Sequence, residues 1–300
     1  MKGHKSAHGL AILLMIIWGT SYLSIKVVIQ EGIDPIPAAL YRFLIASIIL
    51  FFVLKIKYPK ERILKEDRLR LFLSGIFGVT VYFLFENYSV KYTSASNVSI
   101  LLSSIPVFTL ISERFIFKEK ITLLKTTGAT LSVIGIIIII TSKDKINLFS
   151  TGTRGDLMAL GAALSWVAYN VITSGFKGNY KSITITVYQS IWGCIFLIPG
   201  LLISSFKMPS NLAIANIGFQ AIFCTCIGYV IYVYCLGKLG ATVITTYINL
   251  QSIVTIIAAA ILINEKVSLW QIIGSVIIIL GVFLVSYGSN FNMKKFKESI

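Results

Sequence analysis

The chain has 300 residues, 56% of them apolar and 13% charged, against about 25% charged in an ordinary soluble domain. No soluble fold of this size buries so much apolar surface, so the lipid bilayer is the expected solvent. The net charge of +15 comes from 27 Lys and Arg against 12 Asp and Glu, but the basic residues sit in short gaps between apolar runs, where they set orientation and meet lipid headgroups, and no basic–aromatic module points to nucleic acid.

A helix needs about 20 apolar residues to cross the hydrocarbon core. In chain order, ten runs meet that requirement, at 8–28, 35–54, 69–89, 93–112, 122–140, 155–174, 182–205, 213–236, 242–262 and 268–288. The first follows Lys2 and Lys5 and imitates a signal peptide. It continues into Trp18-Gly19-Thr20-Ser21-Tyr22 with no small-x-small cleavage site, so it reads as a retained helix on which Trp18, Ser21 and Tyr22 share a face.

The second run carries Arg42 about six residues in, roughly 9 Å deep at the helical rise of ~1.5 Å per residue. A charge at depth faces the bundle interior and takes a partner. Two readings stand side by side: a structural ion pair, or a clamp for a substrate carboxylate or phosphate. The third run offers Tyr82 and, one turn on, Glu86 as that partner. Glu86 reads as the only acid clearly inside a helix, and so as the only candidate proton carrier.

In the fourth run Ser99 and Ser103 stand opposite Thr245, Asn249 and Ser252 of the ninth, either lining a cavity or binding helix to helix. Pro106 can kink its helix. Its repeat counterpart is Ser252, so any hinge is expected in one half only. The sixth run places Trp166, Tyr169, Asn170 and Thr173 on one face. Cys194, Cys224, Cys226 and Cys235 lie in apolar runs with no His neighbour and read as small packing residues. His4 and His8 precede or open the first run, which leaves the membrane interior without imidazole.

The chain repeats itself. Residues 88–140 match 234–286 at an offset of 146, so that Glu119-Lys120 meets Glu265-Lys266, Gly128 meets Gly274, and Gly135 meets Gly281. Toward the repeat starts the offset slips, and Trp18 meets Leu164 or, at 148, Trp166. Arg42 and Glu86 correspond to about Gln189 and to Tyr232, so both charges are lost together in the second half. The glycine pairs, two turns apart, read as close helix contacts. Glu119 and Glu265 read as caps or loop anchors.

Five helices per repeat is an odd number, so the second copy enters the membrane from the opposite side, the plan of many secondary transporters. With the N-terminus inside, 19 of the 27 Lys and Arg fall in cytoplasmic segments and 7 outside, which favours both termini in the cytoplasm. The expectation is therefore an all-α integral membrane protein of ten transmembrane helices in two inverted five-helix repeats. Residues 1–141 form the tail and first repeat, 142–154 an external linker, 155–288 the second repeat and 289–300 a basic cytoplasmic tail.

These residues resemble the EamA family of the drug/metabolite transporter superfamily. The likeness is carried by Trp18-Gly19-Thr20-Ser21-Tyr22, by Tyr41-Arg42-Phe43, and by the repeated Glu119-Lys120-Ile121-Thr122 and Glu265-Lys266-Val267-Ser268, each followed by the paired glycines. The second half departs from it at Trp166-Val167-Ala168-Tyr169, which has no Trp-Gly pair. The resemblance implies a carrier exporting small metabolites such as amino acids across a bacterial inner membrane by alternating access, with multidrug efflux as the alternative.

Other classes lack their chemistry. A phosphate cradle of the G-x-x-x-x-G-K-[ST] type is missing, since Gly178-Asn179-Tyr180-Lys181-Ser182 has no second Gly. No His at depth serves a metal or an intramembrane Ser. No segment reads as a re-entrant filter. A structural or regulatory membrane protein is the remaining reading and calls for no internal polar cavity. The candidate cavity residues are Trp18, Tyr22, Arg42, Tyr82, Glu86, Trp166, Tyr169, Asn170 and Asn249. The expected partners are a small-molecule substrate and the bilayer, with no cofactor and no nucleic acid. The sequence sets no oligomeric state, and a monomer is compatible with it.

Overall fold

A computed structural model describes residues 2–117, 123–141 and 150–298, and among these there is no β-strand. Helices α1 (Lys2–Gln30), α2 (Pro35–Lys57), α3 (Arg68–Gly75), α4 (Tyr82–Tyr92), α5 (Ala95–Leu102), α6 (Ile105–Phe117) and α7 (Leu123–Thr141) make the first half. The second half holds α8 (Thr151–Ser174), α9 (Ser182–Leu197), α10 (Asn211–Phe219), α11 (Gly228–Leu239), α12 (Ala241–Thr246), α13 (Ile248–Leu262) and α14 (Leu269–Glu298). Several of these run on from one another. Among the described residues eight continuous helical segments are long and apolar enough to cross a membrane, and two further apolar segments, Thr126–Ile139 and Leu269–Leu284, are shorter.

Helix starts follow from their caps. The side chains of Ser94, Ser150 and Ser210 accept the N–H groups of Asn97, Thr153 and Ala213, each satisfying a donor that has no intrahelical partner. The Ser150 cap starts α8 at Thr151, four residues before the expected 155, and so shortens the expected 142–154 linker. Residues 142–149 of that linker, like Glu119-Lys120-Ile121-Thr122, lie outside the described residues. Gly240 closes α11 at φ +80°, a conformation that L side chains rarely adopt. At the far end α14 runs to Glu298, past the expected 288, through a Lys-rich stretch with good helix propensity.

Two interruptions recur in both halves. α3 passes into α4 through a π-helical turn at Ile76–Val81, and α10 passes into α11 through another at Gln220–Ile227. At the offset of 146, 76–81 falls on 222–227, inside the second turn. The i→i+5 bonds correspond as well: Tyr82 N–H donates to Phe77 O, and Gly228 N–H donates to Phe223 O. The second interruption separates α5 from α6 at Ser103–Ser104 and α12 from α13 at Tyr247. Pro106 sits in the first turn of α6, where its missing N–H costs nothing. The expected one-sided hinge is therefore corrected: the break occurs in the second half without a proline.

The paired glycines bring α7 against α14. A Cβ on Gly135 would lie 2.7 Å from Gly274 O, and one on Gly281 would overlap Gly128 O. Backbones this close gain packing that larger residues would block. The outward faces stay apolar, for example Ile12, Leu13 and Ile16 on α1 and Ile48 and Phe52 on α2. Soluble monomers rarely show such stripes.

The two halves are also clasped by their loops. At one end Asp67 accepts the N–H groups of Lys177 and Gly178 and the Tyr180 hydroxyl. At the other end Asp34 accepts Lys91 Nζ at 3.0 Å and the N–H and hydroxyl of Ser205, while Glu31 accepts Ser210 Oγ at 2.6 Å. In both clasps the acids come from the first half.

Candidate functional site

Midway along α1, Trp18, Ser21 and Tyr22 face a small cavity. Arg42 of α2, Tyr82, Phe83 and Glu86 of α4, Trp166 of α8, Tyr229 of α11 and Gln251 of α13 complete its wall. Its volume is about 20 Å³, room for roughly one water molecule. Both halves contribute, and every wall residue is buried.

The aromatic wall holds itself in place. Trp166 packs against Tyr82 at 4.8 Å between ring centroids, against Trp18 at 5.6 Å and against Tyr229 at 5.7 Å. Such tilted and edge-on contacts are the favourable ones for rings. The polar ends are spoken for by matching carbonyls of the two π turns. Tyr229 OH donates to Gly78 O, and Trp18 Nε1 donates to Cys224 O, each at 2.9 Å. Gly78 and Cys224 are 146 residues apart, so the same backbone position receives a side chain of the opposite half in each repeat. Gly78 has no room for a Cβ, because the Tyr169 ring occupies that space.

The charges are arranged less symmetrically. Arg42 is 3% exposed, donates from Nε to Thr225 Oγ1 at 2.7 Å, and lays its guanidinium over the Phe83 ring at 4.4 Å. Glu86, also 3% exposed, accepts Tyr82 OH on Oε1 at 2.8 Å, while Oε2 has no hydrogen-bond partner. An unpartnered oxygen of a buried carboxylate is costly, and here it belongs to a residue of the cavity wall.

Of the nine residues expected at a cavity, Trp18, Tyr22, Arg42, Tyr82, Glu86 and Trp166 line it. Tyr169 lies behind Trp166 with its hydroxyl on Gln189 Oε1 at 3.3 Å. Asn170 accepts Tyr232 OH on Oδ1 at 2.8 Å. Asn249 is away from the cavity, its Oδ1 buried without a partner. The serines expected opposite it bind helix to helix, Ser103 Oγ meeting Ser252 Oγ at 2.6 Å. Gln189, the counterpart of Arg42, donates to Ser74 and Thr173, a neutral network where the first half carries charge. The four cysteines are free and buried.

Phe83, Tyr229 and Gln251 were not expected. Phe83 and Tyr229 stand exactly one repeat offset apart, so an aromatic present at the same place in both halves could have found them. Gln251, whose amide donates to Tyr22 OH, corresponds to Ile105 and left no such trace. The reading of Glu86 as the only acid within a helix is also corrected. Asp156 lies in the second turn of α8, fully buried, and accepts Thr93 Oγ1 at 2.9 Å and Asn97 Nδ2 at 2.7 Å. Glu265 accepts the N–H groups of Ala95 and Ser96 and so caps α5, an anchor role.

Two wider vestibules lie beyond the cavity. One, of about 750 Å³, is lined by Lys26, Gln30, Tyr92, Thr93, Ser94 and Glu265 at the C-terminal end of α1. The other, of about 530 Å³, is lined by Thr173, Phe176, Tyr180, Val233, Leu236 and Lys238 among others. Cys235 Sγ donates to Ala7 O, which sets the end of α11 beside the start of α1. The vestibules therefore open at opposite ends of α1.

A model of the EamA-like transporter family matches residues 5–141 and again 153–287, one match per half. The chain belongs to the EamA-like transporter family. It is similar to an uncharacterized transporter of Archaeoglobus fulgidus, 32% identical over 94% of this chain and 98% of that one. It is also similar to a probable amino-acid metabolite efflux pump of Salmonella typhimurium, 24% identical over 93% and 94% of the two chains. A solved crystal structure shares the fold at a TM-score of 0.69 and 14% identity, covering 93% of this chain and 96% of that one. The EamA assignment makes this a multi-pass membrane protein of a transporter family, and the cavity lies between the two segments that the family model matches.

Proposed function

We propose that this EamA-like chain is a secondary carrier that exports zwitterionic small metabolites, amino acids among them, across a bacterial inner membrane by alternating access. One observation carries the reading: a cavity between the halves, walled by buried residues, presents a guanidinium, Arg42, and a carboxylate with an unpartnered oxygen, Glu86, within an aromatic wall. Arg42 would receive a substrate carboxylate and Glu86 Oε2 an ammonium, while Trp18, Trp166 and Tyr82 would cover the rest of the solute. The name of the Salmonella relative supports this substrate class.

The ten apolar helical segments are read as ten transmembrane helices in two inverted repeats, with both termini cytoplasmic. The 19-to-7 bias of basic residues supports the orientation, and the paired π turns support the repeat. The small volume of the cavity and the burial of its wall residues support reading this conformation as an occluded member of the cycle. The test is uptake into inside-out vesicles and thermal shift of the purified chain against amino acids, organic cations and apolar drugs. Stabilisation by zwitterions that is lost in Arg42→Gln supports the reading. A response to apolar cations that depends on Glu86 and the aromatic residues but not on Arg42 would favour multidrug efflux, the reading suggested by the aromatic wall alone.

A further inference from the structure

We propose that Lys26 is the outer gate of the cavity, and that the hydrogen-bonded chain Trp166–Tyr232–Asn170 is its inner counterpart. The inference rests on the carrier reading above. Lys26 lies one turn beyond Tyr22 on α1, and Val90 lies one turn beyond Glu86 on α4. Tyr22 and Glu86 both line the cavity, and Lys26 and Thr93 line the first vestibule. Between the two spaces Lys26 Nζ donates to Val90 O at 2.8 Å and to Thr93 O at 3.0 Å. The Val90 carbonyl belongs to the last turn of α4 and so lacks an intrahelical partner, and the negative end of the helix dipole favours a cation there. One ammonium thus ties α1 to α4 directly over the cavity.

On the other side Trp166 lines the cavity, Asn170 lies one turn on, and Thr173 lines the second vestibule. Trp166 Nε1 donates to Tyr232 OH at 2.9 Å, and Tyr232 OH donates to Asn170 Oδ1 at 2.8 Å. Val233 and Leu236, next to Tyr232 on α11, already face that vestibule. At the repeat offsets Lys26 corresponds to Ser174 and Val90 to Leu236, so the second half has no cation to repeat the clamp. The outer barrier is then a half-buried ammonium that water can relieve, and the inner barrier a fully buried aromatic layer. The occluded form opens outward more readily than inward.

The test uses the full chain with Cys194, Cys224, Cys226 and Cys235 replaced and one reporter, Ser21→Cys, in the cavity wall. A membrane-impermeant maleimide is applied to right-side-out and inside-out vesicles. A separate Ser94→Cys chain establishes which face the first vestibule meets, independently of the gate. From that face Lys26→Met should speed labelling of Ser21→Cys about tenfold or more, the scale of losing charge-assisted hydrogen bonds. From the opposite face it should leave the rate unchanged, and there Tyr232→Phe should raise it. If Lys26→Met does not fold, Lys26→Gln gives the same readout with a smaller rise. Equal labelling of Lys26→Met and parent from both faces overturns the gate. Transport assays separate the two readings: solute transport with no change in labelling sinks the gate alone, and a faster-labelled Lys26→Met in a chain that carries no solute sinks the carrier reading alone.

Discussion

Arg42 and Glu86 share one cavity wall without forming an ion pair. The guanidinium turns to Thr225 and Phe83, and the carboxylate turns one oxygen to Tyr82. The sequence suggests a pair in at least one conformation, and this conformation holds the two charges apart, each with capacity left over. Arg42→Gln and Glu86→Gln should each weaken binding of a zwitterion by about 1.5–3 kcal/mol, the value of a hydrogen bond to a charged group. The double variant should fold and still fail to transport. Recovery of transport in the double variant, measured in proteoliposomes, would instead make the pair structural.

Tyr82→Phe removes the donor on Glu86 Oε1 and leaves both carboxylate oxygens short of partners. The expected loss is about 1–3 kcal/mol of stability, read as a lower melting temperature in detergent. Adding Glu86→Gln to that background should recover part of it, because the two residues are in contact and their effects do not add.

Trp166→Ala should reduce transport more than it reduces folding, since the indole touches Trp18, Tyr82 and Tyr229 across the cavity. Trp166→Phe keeps a ring and loses only the donor to Tyr232. Uptake rates should fall in the order parent, Phe, Ala. Equal rates in all three would make Trp166 a packing residue only.

Gly281→Ala sets a methyl group against Gly128 O and should force α14 from α7. Overpacking of this kind typically costs about 1–3 kcal/mol. Gly218→Ala, in α10 with nothing within 4 Å of the added carbon, should be neutral or gain up to about 1 kcal/mol of helix propensity. Melting temperatures of the two variants should move in opposite directions or differ clearly.

Asp34 lies between spans, and hydrogen bonds from Ser205, with Lys91 beside it, hold its carboxyl below the usual carboxylate range. Its folded pKa is lowered, so its contribution to stability is complete above the unfolded value of about 3.9 and fades as pH falls through the folded one. Asp34→Asn should therefore melt below the parent at pH 7, and the gap should close in acid. A gap that persists unchanged at pH 3 would deny the Asp34 clasp its charge dependence.

The apolar runs were legible because crossing a bilayer demands length and composition together, and most span edges lie within a few residues of those expected. Six cavity residues were legible because a charge or a large aromatic at depth needs a reason. Asp156 escaped because the Ser150 cap carries α8 further out than the apolar run does. Asn249 misled because a shared face with Thr245 and Ser252 does not place a residue at the cavity: it is absent from the wall, which α13 reaches through Gln251 instead. The π turns were not legible at all: the residues at 76–81 and 220–227 suit an α-helix equally well, and the slip shows only in the backbone bonds from Tyr82 N–H to Phe77 O and from Gly228 N–H to Phe223 O.

That slip turns a helix about its own axis. Each residue of an α-helix turns about 100°, and a π turn absorbs one residue more than an α turn, so everything after Ile76–Val81 is rotated by that amount relative to α3. Tyr82 and Glu86 owe their inward aim to a single added residue, and Tyr229 owes its aim to the matching one at Gln220–Ile227. The rotation thus acts at the same position of both halves, so one added residue per half aims part of the cavity wall.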